Sequence, residues 1–284
     1  MNNVIELLEQ NPHLSIRRIA NREGMPSVGT LHTILKEMKF HPYVLQIHHR
    51  LREQDKQKRV VHAQSQLTLM EMNPEFLGNL LFSDEAHFHL HGTVNRHNFR
   101  YWSQSNPGWC QEEPLHSPRV TVWAAIGCQG VVGPVFFEEN INGANYLHML
   151  QETLLPTIQQ WPSFNSLVLM QDGAPPHWSV AVRNFLSVNF NNRWMGRGSP
   201  NLPWPPYSPG LTPCDFFLWG WVKNRVYANP IADVGELRGR IHQAFDDLPQ
   251  EMVRRAMQAY KGRLVRCIAV KGASVEKVKL LLEE

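Results

Sequence analysis

Residues 167–177 read LVLMQDGAPPH. Leu167, Val168, Leu169 and Met170 form an unbroken apolar run, the pattern of a short buried strand. Gln171-Asp172-Gly173 then closes the run with a turn signal. A carboxylate leaving a buried strand has a rigid base behind it and a polar edge in front. That is where α/β sheets place ligand-binding groups. Asp172 has a chemical meaning only if the chain supplies partners for it.

Working outward, residues 79–82 (NLLF) form a second apolar strand, followed by Ser83-Asp84-Glu85. This repeats the arrangement of strand and then carboxylate. His87, His89 and His91 alternate with Phe88 and Leu90, which is strand periodicity with the histidines on a half-exposed face. Residues 99–103, 119–126 (RVTVWAAI) and 135–137 read as further strands of an antiparallel meander. A helix is expected over 142–155, another over 178–188, a polar loop over 191–200 and a brief strand over 202–204. The segment PPYSPGLTPCD (205–215) is stiffened by four prolines and leads into a helix, FFLWGWVKNRVY. Thr212 as N-cap, Pro213 at the first helical position and Asp215 at the third make a good helix start. Amphipathic helices follow over 234–248 and 251–260, with a further one expected near 275–282.

The N-terminal part differs. Val4, Ile5, Leu7 and Leu8 give a short amphipathic helix ending at Asn11-Pro12. Ser15 caps a second, with Ile16, Ile19 and Ala20 inward and Arg17 and Arg18 outward. Gly24 supplies a left-handed turn residue, and Ser27 caps a third helix burying Val28, Leu31, Ile34, Leu35 and Met38. Three short helices with this turn read as a helix-turn-helix, whose third helix offers Thr30, His32, Thr33 and Lys36 to a groove. Residues 50–72 form one long charged helix bearing Arg50, Arg52, Lys56, Lys58 and Arg59, either a solvated linker or a connector along a phosphate backbone. Over residues 1–65 the ten Lys/Arg exceed the six Asp/Glu, so the basic bias of the chain (net charge +3) lies here.

The bulk numbers set the frame. At 284 residues and 43% hydrophobic, the chain is long enough for a large domain plus a small one with a real core. No apolar run approaches the roughly 20 residues needed to span a bilayer, and the N-terminus is not that of a signal peptide. Cys110, Cys128, Cys214 and Cys267 are scattered, which fits free thiols and argues against a zinc site.

Phosphoryl transfer by two Mg²⁺ ions needs hard oxygen ligands on rigid elements. An antiparallel meander, a helix, a parallel strand and another helix is the order of a ribonuclease-H-like domain. The first strand, the fourth strand and a later helix would carry the acids, and Asp84, Asp172 and Asp215 occupy those places. Taken singly, Asp84 and Asp172 could be turn residues and Asp215 part of a capping box. The ordered set in one compatible topology favours the catalytic reading. The fold class expected is therefore α/β (α+β): a ribonuclease-H-like catalytic domain preceded by an all-α helix-turn-helix domain. The expected boundaries are 1–48 for the helix-turn-helix, 49–76 for a basic helical linker, 77–230 for the catalytic domain and 231–284 for C-terminal helices completing it.

FSDEAHF, QDGAPPHW and WPPYSPGLTPCDFFLWG resemble the three signature blocks of mariner-type transposases, especially their arthropod members. SIRRIANREGMPSVGTLHTILKE resembles the second DNA-binding motif of that family. The resemblance implies a cut-and-paste DNA transposase that cleaves at element inverted repeats and joins the ends to target DNA at TA. It makes Asp84, Asp172 and Asp215 the catalytic triad and the ligands of two Mg²⁺ (or Mn²⁺) ions, with Asp84 bridging both. It also implies DNA contacts through Arg17, Arg18, Ser27, Thr30, His32, Thr33 and Lys36, with His177 near the site. The partners implied are double-stranded DNA (terminal inverted repeats and target) and a second subunit in a homodimer, with no membrane; the compartment implied is the nucleus. Three departures stand out. Forty-two residues separate Asp172 from Asp215, more than the commonest family spacing, which the loop 191–200 would explain. Gly210 stands where the family usually has Asp, and the sequence opens just before the second of the family's two DNA-binding motifs, so recognition of the terminal repeats is expected to be incomplete. These leave a catalytically silent, element-derived DNA-binding protein as the alternative, and a nuclease acting on RNA–DNA hybrids as a more distant one.

Overall fold

Among the described residues, six strands form one mixed sheet in the order β3-β2-β1-β4-β5-β6. They are β1 (Leu80–His89), β2 (Arg119–Gly127), β3 (Gly130–Phe137), β4 (Val168–Met170), β5 (Trp194–Gly196) and β6 (Leu202–Pro203). The computed structural model describes residues 2–10, 16–40, 51–90 and 118–276. β1, β2 and β3 pair antiparallel, while β1–β4, β4–β5 and β5–β6 are parallel. Both faces of the sheet are covered, which is why its strands read as continuous apolar runs.

The alternation along β1 sorts the two cores. Leu80, Phe82, Ala86 and Phe88 face one cluster, built with helices α4 (Glu53–Met72), α8 (Trp219–Val226), α9 (Val234–Asp246) and α10 (Gln250–Ala269). Leu81 faces the other, built with α5 (Gly143–Met149), α6 (Leu155–Ile158) and α7 (Val180–Asn189). This three-layer arrangement is the ribonuclease-H-like α/β class expected from the sequence. The chain divides into two compact units, residues 1–48 and 49–284. No described helix is long and apolar enough to cross a membrane.

In the first unit, α1 (Asn2–Gln10), α2 (Ile16–Ala20) and α3 (Val28–Glu37) close on Val4, Ile19 and Leu31. Gly24 adopts φ +74, and the Ser27 side chain accepts from the Thr30 N–H, as the turn and cap signals require. Leu31 and Ile34 are buried, but Val28 and Met38 are exposed: three short helices leave no second layer to cover the ends of α3.

Several local readings are corrected by the fold. Residues 194–196 are not loop but a buried strand; Asn191 and Asn192 turn left-handed and feed Trp194 and Met195 into the core. The long Asp172–Asp215 interval therefore contains an extra strand pairing beside β4, not only a longer loop. The helix expected over 142–155 is α5, a π-helical turn (Leu150–Leu154) and α6. Arg59, read as part of a basic face, is buried and donates to the carbonyls of Tyr207, Gly272 and Ala273 and to Ser208 Oγ. It is thus unavailable to phosphate. The expectations for Asn11-Pro12, Ser15, His91, Cys110, strand 99–103 and the final helix beyond residue 276 lie outside the described residues.

Candidate active site

Asp84 lies in the middle of β1, not at its end as the sequence pattern suggested. β4 pairs with β1 only through Phe82↔Met170. Beyond that point β4 stops, and Asp172 leaves the sheet beside Asp84. On β2 the residue paired with Asp84 is Ala124. Trp219 Nε1 donates to Asp84 Oδ2 at 2.8 Å. Asp215 enters from the π-helical turn Cys214–Leu218, whose start is tied by the Cys214 N–H donating to Thr212 Oγ1 at 3.3 Å. That turn sets Asp215 close enough to Asp84 for its charge to raise the Asp84 carboxyl. Trp219 and Lys223, four and eight residues on, follow on the same helical face.

The electrostatics of this pair are strained. Burial, the Asp215 charge and Glu85 push the Asp84 carboxyl well above the usual range. Burial and the Asp172 charge push Asp215 up to about 7, although Asp84 and Lys223 act against the rise. Burial lowers the Lys223 pKa, although the charges of Asp215 and Asp84 act to raise it.

Asp172 faces a different environment. Its Oδ1 accepts from the Ala174 N–H at 2.9 Å and from His177 Nδ1 at 2.6 Å. His177 Nε2 donates in turn to Glu85 Oε1 at 3.2 Å. Burial alone would lower the His177 pKa, but Glu85 and Asp172 override it and hold the ring cationic, at about 10. Burial would raise Asp172, but the His177 hydrogen bond and charge win and lower it. Behind the ring, Tyr146 lies 4.2 Å away centroid to centroid, and its hydroxyl donates to Gln171 Oε1. Gln171 Nε2 donates to the His177 carbonyl, so a buried amide fixes the backbone of this turn.

The structure thus brings Asp84, Asp172, Asp215 and His177 to the exit of β4, alongside the middle of β1. The predicted DNA-reading residues Arg17, Arg18, Ser27, Thr30, His32, Thr33 and Lys36 all lie in the first unit and are exposed. Ser27 is engaged in capping, and Thr33 Oγ1 donates back to the Gly29 carbonyl. Sequence reading missed Glu85, Tyr146, Gln171, Trp219 and Lys223. Strand alternation after Asp84 would have sent Glu85 to the opposite face, and helical spacing after Asp215 would have found Trp219 and Lys223.

Among the described residues, no three or more His, Cys, Asp or Glu side chains converge closely enough to hold a metal ion as they stand. Asp172 is turned toward His177, although its charge still reaches Asp215. The donor chemistry fits a divalent cation all the same. Asp84 and Asp215 present hard carboxylate oxygens, and the charge of Asp215 on Asp84 and of Asp172 on Asp215 is the excess negative charge that such an ion would relieve.

A family model described as "DDE superfamily endonuclease" matches residues 79–238, more than half of the chain. The chain belongs to the DDE superfamily endonucleases. Asp84, Asp172 and Asp215 all fall inside the matched region. Its fold is similar to that of the Mos1 transposase paired-end complex with left transposon end (TM-score 0.76, 20% identity, 97% of this chain and 79% of that one). It is also similar to the Mos1 strand transfer complex (TM-score 0.74, 20% identity, 95% and 77%). The catalytic domain of Mos1 mariner transposase matches with TM-score 0.62 and 19% identity over 80% of this chain and 98% of that one. At these identities the likeness is one of fold. No curated protein matches the sequence.

Proposed function

We propose that this DDE endonuclease is a mariner-type DNA transposase. The observation that carries the reading is the Asp84–Asp215 carboxyl pair beside Asp172 at the end of a parallel strand pair, in a fold shared with Mos1 complexes. Asp84 and Asp215 would hold one Mg²⁺ or Mn²⁺ ion, and Asp172 would complete the set with Asp84 by leaving His177. Such ions supply charge neutralisation at the phosphoryl oxygens and at the attacking and leaving oxygens. Trp219 orients Asp84, and the Ala174 N–H anchors Asp172. Water attacks the phosphodiester at the element end, the phosphorus–oxygen bond to the 3′ oxygen breaks, and a 3′-hydroxyl is freed. That hydroxyl then attacks a target phosphodiester, at TA by the family resemblance; a new phosphorus–oxygen bond forms as the bond to the target's 3′ oxygen breaks, and that oxygen leaves as a 3′-hydroxyl.

The α3 face bearing His32 and Lys36 would read the terminal repeat, with Arg17 and Arg18 on the backbone. A homodimer holding two DNA ends, acting in the nucleus, completes the proposal. Metal-dependent nicking of an inverted-repeat duplex, abolished by Asp172→Asn, tests it. Binding of that duplex without nicking in Mg²⁺ or Mn²⁺ would sink the enzyme reading and support the catalytically silent DNA-binding alternative. Preference for RNA–DNA hybrid over duplex DNA would support the hybrid nuclease instead.

A further inference from the structure

A pair of arginines beside Asp172 has no role in the chemistry above. Trp178 follows His177 directly, and its indole is met by two guanidiniums. Arg183 lies 4.1 Å and Arg197 4.8 Å from the ring centroid. Arg183 is held there by Nε donating to the Trp178 carbonyl at 3.1 Å. Arg197 is held by the backbone around it. Gly198 adopts φ +76 and packs so tightly on Trp178 that an added Cβ would fall 1.9 Å from the ring. The stem of Arg197 lies against Gly173, where an added Cβ would sit 3.5 Å from Arg197 Cβ and 3.6 Å from Cδ. Gly173 is the residue after Asp172.

Two like charges on one indole repel each other, and among the described residues neither arginine has a carboxylate within ion-pair distance. The ring attracts each cation but neutralises neither. An anion between them would. The planar guanidinium fork matches the two unesterified oxygens of a phosphodiester. Successive phosphates of a strand lie only about 3.4 Å apart along the helix axis, so a strand with one phosphate at Asp172 has its next ones within reach of these side chains.

We propose that Arg183, Trp178 and Arg197 form a phosphodiester-binding clamp for the DNA strand that crosses Asp172, gripping it one or two phosphates from the scissile bond. This rests on the transposase reading, and the test separates the two. Binding of a short DNA duplex to the full chain is followed by fluorescence anisotropy in EDTA across a salt series, so that cleavage plays no part. Each contacted phosphate contributes about 0.9 to the slope of log affinity against log salt, equivalent to about eightfold in affinity at about 0.1 M salt. Arg183→Gln and Arg197→Gln are each expected to lower the slope and the affinity by that amount, and Arg197→Lys to keep the slope. Arg197 is exposed, so its variants should melt like the parent.

An unchanged slope and affinity in the Arg183→Gln/Arg197→Gln double variant would overturn the clamp, whatever the parent does in nicking assays. Reduced slopes in a parent that binds but never nicks would uphold the clamp while removing the enzyme reading. No binding by the parent at low salt would overturn both.

Discussion

Replacing His177 by Gln removes a cation from between two carboxylates. His177 has a side chain 3% exposed, with Asp172 at 2.6 Å and Glu85 at 3.2 Å. Glu85, 16% exposed, would be left without its cation on a face lined by Tyr146. Breaking a buried pair by removing one partner costs about 3–5 kcal/mol. Asp172 is 46% exposed, so water screens its share, and the lower end, about 3 kcal/mol, is expected. For a unit of this size each kcal/mol moves the melting temperature by about 2–4 °C, giving a loss of about 6–12 °C. The pH dependence has a definite sign. The folded state holds the His177 pKa at about 10 against 6.5 for the free side chain, so its stabilisation is complete below 6.5 and disappears as pH rises through about 10. The gap between parent and variant should therefore be widest in mild acid and should narrow in alkali. Calorimetric melting of His177→Gln, Glu85→Gln and the double variant measures it, and the double loss should be less than the sum of the single ones. A loss under about 2 °C in mild acid, or a gap that widens in alkali, refutes the ionic bridge.

Other expectations follow from the same geometry. Asp215, raised from 3.8 to about 7, binds more protons folded than unfolded between those values, so parent stability falls as pH rises through that window. Asp215→Asn should flatten that fall in denaturant titrations while abolishing nicking. Gly210→Asp, restoring the usual family residue, would put a Cβ 2.7 Å from Val275 Cγ2, beside Arg263 and Glu276, which already pair at 2.7 Å. It should cost about 1–3 kcal/mol by overpacking, measured as a lower denaturation midpoint. Arg59→Lys should lose at least two charge-assisted hydrogen bonds, about 3 kcal/mol or more, visible as a lower melting temperature. Lys36→Gln and Arg17→Gln should weaken duplex binding with the melting temperature unchanged; equal affinity at physiological salt would place the DNA path elsewhere.

The apolar runs 79–82, 119–126 and 167–170 were enough to place β1, β2 and β4 in chain order, because burial on both faces leaves a continuous apolar trace in local sequence. The same local logic found the Ser27 cap, the Gly24 turn and the helix start at Thr212. β5 escaped because only two of its residues, Trp194 and Met195, are apolar and they sit among Asn, Arg and Gly; pairing with β4 alone makes them a strand. The buried side of α4 escaped because Arg59, His62 and Gln66 look solvated in sequence, and the first two are buried against distant partners, Arg59 on Tyr207 and His62 on Tyr260.

LVLMQDGAPPH by itself placed a carboxylate at the exit of a buried strand, and the two other aspartates followed in chain order. What it could not state is where that carboxylate points. Asp172 is turned to His177 because Glu85, 92 residues away in sequence, holds the other side of the ring and Gln171 and Tyr146 brace it. Charge placement of that kind depends on which chain segments fold next to one another, and only the tertiary structure decides it.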